Sequence, residues 1–405
     1  MKILLLNDLG TPTGGAELQM LSLRQGLRDR GHDVRLFSSR AISVAESQIL
    51  SDYTCFGTNS LLQVLSQTAN PSAYLNLRQV LHEFQPDFVH ARMFMWQLSP
   101  LILPLLKNVP CLYQTAVYKA ICPLGTKLLP DGQSCQEKAG IACLQNHCLT
   151  PQSWAILMVQ RQLWQQWRDA FDLVVTLSES MKNKLLADGI EPIEVVHNGV
   201  PERPPRPPLT APPTVAFAGR LVSEKGVDFL LKAFTKVKKQ VPNAQLLIAG
   251  QGVEMGNLQA LAAELGVSES VRWLGHLPHE QMERYFDAAW VQVVPSLWAE
   301  PFGNVTTEAM MRGTAVIASA VGAQPEIVVN GETGFLISPN NVEALTEALL
   351  RLLQSRQLCE QMGQNGRQRA VNYFSEDRRT EKFLDIYQRL QATAQSQPRV
   401  KFSQI

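Results

Sequence analysis

Two short stretches of this chain concentrate side chains able to hold an anionic ligand. The first is Gly219-Arg220-Leu221-Val222-Ser223-Glu224-Lys225-Gly226, which follows the apolar run Val215 to Ala218 and precedes a helical pattern. A glycine lets the chain leave a strand end sharply, and Arg220 and Lys225 then stand where ligands meet the carboxyl end of a parallel sheet. Arginine offers a planar fork and lysine a mobile point charge, a pairing suited to a diphosphate. The plainer reading is a solvated Arg and Lys flanking an ordinary strand-to-helix turn.

The second stretch runs from Pro295 to Ala309 and contains Glu300-Pro301-Phe302-Gly303-Asn304-Val305 and Glu308. It follows the apolar run Val291 to Val294, and Gly303-Asn304 leads into a helix whose first-turn N–H groups make an anion site. The two acids are eight positions apart, so Glu300 falls on the loop and Glu308 about one turn into the helix. A carboxylate at Glu308 suits a bidentate hydrogen bond from a ribose diol. Glu300 is placed to grip sugar hydroxyls or to stabilise positive charge developing at an anomeric carbon. Alternatively, Glu308 complements the helix dipole and Glu300 is a surface acid.

The elements around these stretches alternate. Ile3 to Leu6 reads as a buried strand, and Gly14-Gly15 opens a helical pattern with Leu18, Leu21, Leu23 and Leu27 apolar. Gly31 ends that helix and the strand through Leu36-Phe37 begins, a βαβ signature. Further units run from a helix over 75–84 into a strand over 87–90, with strands over 172–177 and 193–196. From Pro201 to Pro213 the chain carries too few N–H donors for sheet or helix and reads as an extended linker. Beyond it, strands over 215–218, 245–249, 271–274 and 291–294 alternate with helices over 227–237, 255–265 and 281–288.

The expected fold is therefore α/β, with two doubly wound Rossmann-like domains facing across a cleft. The first spans 1–200, the linker 201–213, and the second 214–375. An amphipathic helix over 376–392, with Phe383, Ile386, Tyr387 and Leu390 apolar, is expected to cross back to the first domain. A length of 405 residues favours two cores over one.

Lys and Arg total 37 against 36 acidic residues, so no global field points to nucleic acid and any anion site is local. The apolar run after Met1-Lys2 is too short for a signal peptide, and no stretch reaches the ~18 apolar residues of a spanning helix. The chain is expected to be cytoplasmic, soluble or peripheral to a membrane. Cys122, Cys135, Cys143 and Cys148 crowd together beside His147, without the two C-x-x-C knuckles of a zinc ribbon. Reduced thiols, a local disulfide and a structural zinc all stay open. Ile156, Val159, Leu163, Trp167 and Phe171 fall at helical spacing near Trp154 and Trp164, reading as a core helix on the first sheet or as a membrane-interface helix.

Taken together, the two stretches and the motifs between and after them resemble the retaining family-four glycosyltransferases of GT-B fold, the glycosyl transferases group 1. The match runs through Gly-Arg-Leu-x-x-Glu-Lys-Gly from Gly219, Ala249-Gly250-Gln251-Gly252, and Trp273-Leu274-Gly275. It continues through Pro-Ser-x-x-x-Glu-Pro-Phe-Gly with Glu308, Pro325-Glu326-Ile327-Val328, and Asn330 to Phe335. Gly14-Gly15-Ala16-Glu17 and His197-Asn198-Gly199-Val200 also resemble the family. The resemblance implies transfer of a sugar from a UDP- or GDP-sugar to a lipid-linked or polysaccharide acceptor, as in cell-envelope polysaccharide synthesis.

The resemblance also assigns roles. Arg220 and Lys225 would hold the diphosphate and Glu300 would orient the transferred sugar, the three forming the catalytic group. Gly14, Gly15, Gly219, Leu274, Gly275, Phe302, Gly303, Asn304, Val305 and Glu308 would bind the donor, with backbone near Leu274 contacting the base and Glu308 the ribose. The leaving phosphate itself would accept the acceptor proton on the same face. No cofactor and no catalytic metal are expected, in keeping with the absence of an Asp-x-Asp pair.

The chain departs from the family on the acceptor side. His90-Ala91-Arg92 has arginine where many members carry a second histidine, and Gln114 to Pro123 lacks a His-Asp pair. Arg92, Tyr118 and Asn198 are the acceptor candidates, suited to an anionic or lipid-phosphate group; the alternative is that Arg92 and Tyr118 are structural. The departure keeps open a nucleotide-sugar-binding homologue that partners another transferase. A phosphorylase or an epimerase of the same fold would need residues that are not evident here.

Overall fold

The computed structural model describes residues 1–12, 14–41, 49–60, 62–210 and 212–396. They form two compact units. One comprises Met1–Asp131, Cys135–Gly199 and the chain from Glu376 on; the other comprises Gly132–Ser134 and Val200–Ser375.

In the first unit the elements are β1 (Lys2–Leu9), α1 (Gly15–Arg28), β2 (Asp33–Ser39), β3 (Tyr53–Cys55), α2 (Pro71–Phe84) and β4 (Phe88–Met93). There follow β5 (Cys111–Gln114), α3 (Pro151–Trp167), β6 (Leu173–Thr176), α4 (Glu179–Ala187) and β7 (Ile193–Val195). The strands make one parallel sheet in the order β3-β2-β1-β4-β5-β6-β7. Ile3, Leu4, Leu5 and Leu6 are all wholly buried, as a central strand covered on both faces requires.

The second unit holds β8 (Thr214–Ala218), α5 (Val227–Lys238), β9 (Gln245–Ala249), α6 (Met255–Glu264), β10 (Val271–Gly275), α7 (His279–Phe286) and β11 (Val291–Val294). It continues with α8 (Asn304–Met311), β12 (Ala315–Ser319), β13 (Gly334–Ile337), α9 (Val342–Leu353) and α10 (Arg356–Phe374). Its sheet is parallel too, in the order β10-β9-β8-β11-β12-β13. The strand order reverses between β8 and β11, the switch point at the carboxyl edge of a parallel sheet where a crevice for ligands forms. The loops leaving these two strands are the two stretches that sequence singled out.

The last helix, α11 (Glu376–Ser396), belongs to the first unit. Its Phe383, Ile386 and Tyr387 join Met20, Leu23 and Leu27 of α1 in one core cluster. The Arg379 guanidinium bonds Gln19 and the Ser22 hydroxyl, the latter at 2.8 Å.

Two expectations need correction. In α1, Leu18 is half exposed while Met20 is buried beside Leu23 and Leu27, because the helix starts over polar residues and Glu17 and Gln19 turn inward. In α3 the buried face is Leu157, Gln160 and Trp164, whereas Val159 is half exposed. The helix turns this face because the Gln160 amide donates to Gln67 O (2.6 Å) and Met95 O (2.8 Å), and Trp164 packs tilted or edge-on against Phe94, Tyr113 and Phe171. The proline-rich run, for its part, is docked on the second unit. Leu209 sits in the second unit's core, Arg206 N–H donates to Arg312 O (2.8 Å), and Arg312 and Arg367 donate to Pro204 O and Arg203 O at 2.6 Å each. Prolines lack donors but their neighbouring carbonyls still accept.

Candidate functional site

At the crevice of the second unit, the turn after β8 runs through Gly219 and Arg220 into Ser223–Lys225, and Gly226 begins α5. Gly226 has φ +67°, and a Cβ there would lie 2.2 Å from Pro295 O, so only glycine lets this turn press against the loop after β11. The Leu297 N–H donates to Glu224 O (2.9 Å), a second tie between the same loops.

This contact brings Lys225 to Glu300. Lys225 Nζ donates to Glu300 Oε1 at 2.6 Å, the Ser296 hydroxyl donates to the same oxygen, and both charged side chains are largely buried. Lys225 Nζ also lies 5.8 Å from the Trp298 ring centroid. Arg220, by contrast, is two-thirds exposed and pairs only loosely with Glu224 at 3.6 Å, leaving its fork free to swing.

Gly303 heads α8 with φ +147°, and a Cβ there would meet the Gln324 amide nitrogen at 2.4 Å. Gln324 is wholly buried and accepts from Thr306 Oγ1 (2.8 Å), fixing the helix start. The first turn of α8 begins at Asn304 and Val305, and Thr306 N–H donates to Gly303 O (3.0 Å). Phe302 is buried, its ring edge-on to Phe374 at 5.9 Å. Glu308, a turn further on, faces His279 of α7, whose Nε2 lies 3.4 Å from Glu308 Oε2. Gly219 N–H donates to Ala249 O (3.0 Å) and Gly250 N–H to Gly275 O (2.7 Å), so the ends of β8, β9 and β10 are laced beside Leu274.

The fold therefore brings Lys225, Glu300 and Ser296 into contact, with Arg220 on the Lys225 turn and Glu308 on the helix after Glu300. A cationic group, a carboxylate and a helix N-terminus at one sheet edge can hold a diphosphate and a polyhydroxyl ligand together. Sequence reasoning missed His279, although its spacing of four from Glu283 is a helical pairing signal.

The acceptor candidates lie in the first unit. Arg92 is wholly enclosed; it donates to Gln114 Oε1 (2.7 Å) and to Asn198 Oδ1 (3.2 Å), while its Nε and the Gln114 amide nitrogen have no hydrogen-bond partner among the described residues. His90 meets the Tyr387 hydroxyl (2.6 Å) and Gln114 (3.2 Å). Burial, with Arg92 nearby, pushes His90 down to about 3, and burial with Arg379 nearby lowers Arg92 to about 9. Burial raises the Glu17 carboxyl, against the pull of Arg92. Arg92 and Asn198 are thus joined in a buried polar cluster. Tyr118 is enclosed elsewhere, with Lys184 Nζ 4.9 Å from its ring centroid. Gly14 caps α1 in extended backbone, and a Cβ there would collide with the Glu17 carboxylate; Gly15 is the first helical residue.

All seven cysteines are free thiols; Cys122, Cys135, Cys143 and Cys148 are partly exposed, and burial raises Cys143 and Cys148. Among the described residues no group of three or more His, Cys, Asp or Glu side chains is assembled to hold a metal, and no helix is long and apolar enough to cross a membrane.

Comparison with known proteins adds two family matches, "Glycosyl transferases group 1" over residues 202–369 and "Glycosyl transferase 4-like domain" over residues 14–199. A glycogen synthase of Mycobacterium tuberculosis is 33% identical over 210 residues, half of each chain. A GDP-mannose-dependent alpha-(1-6)-phosphatidylinositol monomannoside mannosyltransferase of Mycolicibacterium smegmatis is 34% identical over 166 residues, 40% of this chain and 44% of that one. The chain spans about half the length of the curated relatives it matches. Among solved structures, sucrose-phosphate synthase from Thermosynechococcus elongatus superposes with a TM-score of 0.71 at 22% identity, over 97% of this chain and all of that one. Anabaena HepE in complex with UDP gives a TM-score of 0.71 at 20% identity, over 96% of this chain and all of that one. Both carry the same fold, GT-B.

Proposed function

Since the chain belongs to the group 1 glycosyl transferases, we propose that it moves a sugar from a UDP- or GDP-sugar to a glycan or lipid-linked acceptor, with retention of configuration. The observation that carries this reading is the Lys225–Glu300 pair at the strand-order reversal, with Glu308 one helix turn beyond it. Relatives and neighbours named for GDP-mannose and for UDP-glucose support a nucleotide-sugar donor.

On this reading Lys225 and Arg220 neutralise the diphosphate and the first turn of α8 donates to it. Glu308 takes the ribose diol, and backbone at Leu274 and Gly275 meets the base. Glu300, held by Lys225 and Ser296, accepts from hydroxyls of the transferred sugar and faces the positive charge that grows at its anomeric carbon. The bond from that carbon to the phosphate oxygen breaks, the acceptor oxygen bonds to the carbon on the same face, and its proton passes to the departing phosphate. A lipid-linked acceptor would be met at the cytoplasmic face of a membrane.

A thermal-shift panel of UDP-, GDP- and ADP-sugars tests the donor, which must raise the melting temperature by mass action. Turnover of the donor that binds is then followed by NMR of the anomeric signal, with EDTA present. Loss of turnover in EDTA would contradict charge neutralisation by side chains alone, and inverted product would contradict the same-face route. Binding without turnover on any acceptor would favour a sugar-nucleotide-binding partner protein, a reading supported by the enclosure of Arg92 where a family histidine stands.

A further inference from the structure

His279 opens α7 opposite the carboxylate to which the proposed function gives the ribose. Its Nε2 is 3.4 Å from Glu308 Oε2 on α8, and its Nδ1 is 3.2 Å from Glu283 Oε1 on its own helix, off the angle of a hydrogen bond. The same Glu283 oxygen is 3.5 Å from Arg203 Nε of the docked proline run. The nearest charged groups to the imidazole are Glu308 from α8, Glu283 from α7 and Arg203 from the proline run, and Arg206, Asp287 and Arg312 line the same cavity as His279. These helices line that cavity with Met282, Phe286, Val305 and Ala309 and with the Arg312–Asp287 ion pair.

Two carboxylates converge on one imidazole in this arrangement. A glutamate side chain turns about three bonds, so a carboxylate that must present both oxygens to a vicinal diol loses rotamer freedom on binding unless something already holds it. An imidazolium uses one lone pair of one oxygen and leaves the others for the diol. We propose that His279 is a positioning residue for the donor: in its charged form it holds the Glu308 carboxylate from α7, with Glu283 balancing its charge, so that the ribose meets an oriented acceptor. The proposal rests on the reading of Glu308 as the ribose-binding residue.

The charge state fits this role. The hydrogen bond to Glu308 raises His279 above its ordinary value, ahead of burial, which opposes the rise; Glu308 and Glu283 add to it and Arg203 subtracts. The charged form therefore persists to higher pH than in a free histidine and is lost as pH rises through the raised value. A neutral imidazole keeps one N–H, which can sit on either ring nitrogen, and loses its charge attraction to both carboxylates, so its hold on Glu308 weakens.

The test is calorimetric binding of UDP-glucose and of GDP-mannose across that pH range, since neither diphosphate ester titrates where histidine does. For the sugar nucleotide that binds, wild-type affinity should weaken with rising pH by about threefold to tenfold, the span of one net hydrogen bond. His279→Ala should bind at the weak level throughout, and His279→Gln, a neutral donor that does not titrate, should bind no tighter than wild type at high pH and show no pH step. kcat should change little in both. Glu308→Gln should lose more affinity than either variant. If Glu308→Gln binds like wild type, the ribose reading itself falls. If it weakens while His279→Ala keeps wild-type affinity and pH profile, only the positioning role of His279 is overturned. Binding of neither sugar nucleotide overturns the proposed function.

Discussion

The Lys225–Glu300 pair makes a prediction about the unliganded protein. Lys225 Nζ and Glu300 Oε1 are 2.6 Å apart, with the side chains 15% and 8% exposed. Removing one partner of a fully buried pair costs about 3–5 kcal/mol, mainly because the other charge is stranded. Here the stranded Glu300 would keep the Ser296 hydroxyl and a stranded Lys225 would keep some water. The expected loss is therefore about 2–3 kcal/mol for Lys225→Met and somewhat less for Glu300→Gln, which retains the Ser296 contact. The double variant should lose less than the sum, with a coupling of about 2 kcal/mol. Urea denaturation followed by tryptophan fluorescence and circular dichroism measures all three. Additivity within about 0.5 kcal/mol would refute the claim that the two side chains stabilise each other in the free crevice.

Gly226→Ala must part the two site loops, since its Cβ would strike Pro295 O at a left-handed φ; denaturation should show a loss of at least ~2 kcal/mol, and a neutral result would contradict the close approach. Trp164→Ala should cost about 3–5 kcal/mol and Val159→Ser less than about 0.5, which separates the buried face of α3 from its exposed one. Burial raises the Asp8 carboxyl to about 6 from 3.8, against N–H groups of Leu98, Trp96 and Gln97. A carboxyl raised in the folded state holds its proton more tightly there, so its contribution is full below the unfolded value and lost as pH rises through 6. Wild type should therefore gain stability relative to Asp8→Asn as pH falls from about 7 to 4, and a constant difference would exclude the raised value. The comparison with the variant cancels the opposite contribution of His90, whose lowered value destabilises the fold over part of the same range.

Much of the second unit was legible because its strands and turns are written locally. Runs such as Val291–Val294 and Gln245–Ala249 match the observed strands, and the glycines mark turns that leave them. The strands β3, β5, β12 and β13 were not read; in β3 and β5, Thr54, Tyr113 and Gln114 break the aliphatic run that marked the strands that were. The face of α3 was misread because Gln160, a polar residue, points inward to two carbonyls, which no apolar stripe anticipates. The Lys225–Glu300 contact spans 75 positions and depends on Gly226 meeting Pro295; spacing alone shows each residue, not their meeting. The enclosure of Arg92 also depends on long-range partners, Asn198 among them.

Sugar transfer by Lys225→Met and Glu300→Gln tests the central claim most directly. Single-turnover release of nucleotide from the bound sugar nucleotide, on protein confirmed folded by circular dichroism, should fall by about a hundredfold or more in each variant, the loss expected for one electrostatic contact to a developing charge. Transfer at wild-type rate in both would place the donor's reacting centre elsewhere than the crevice between the β8 and β11 loops.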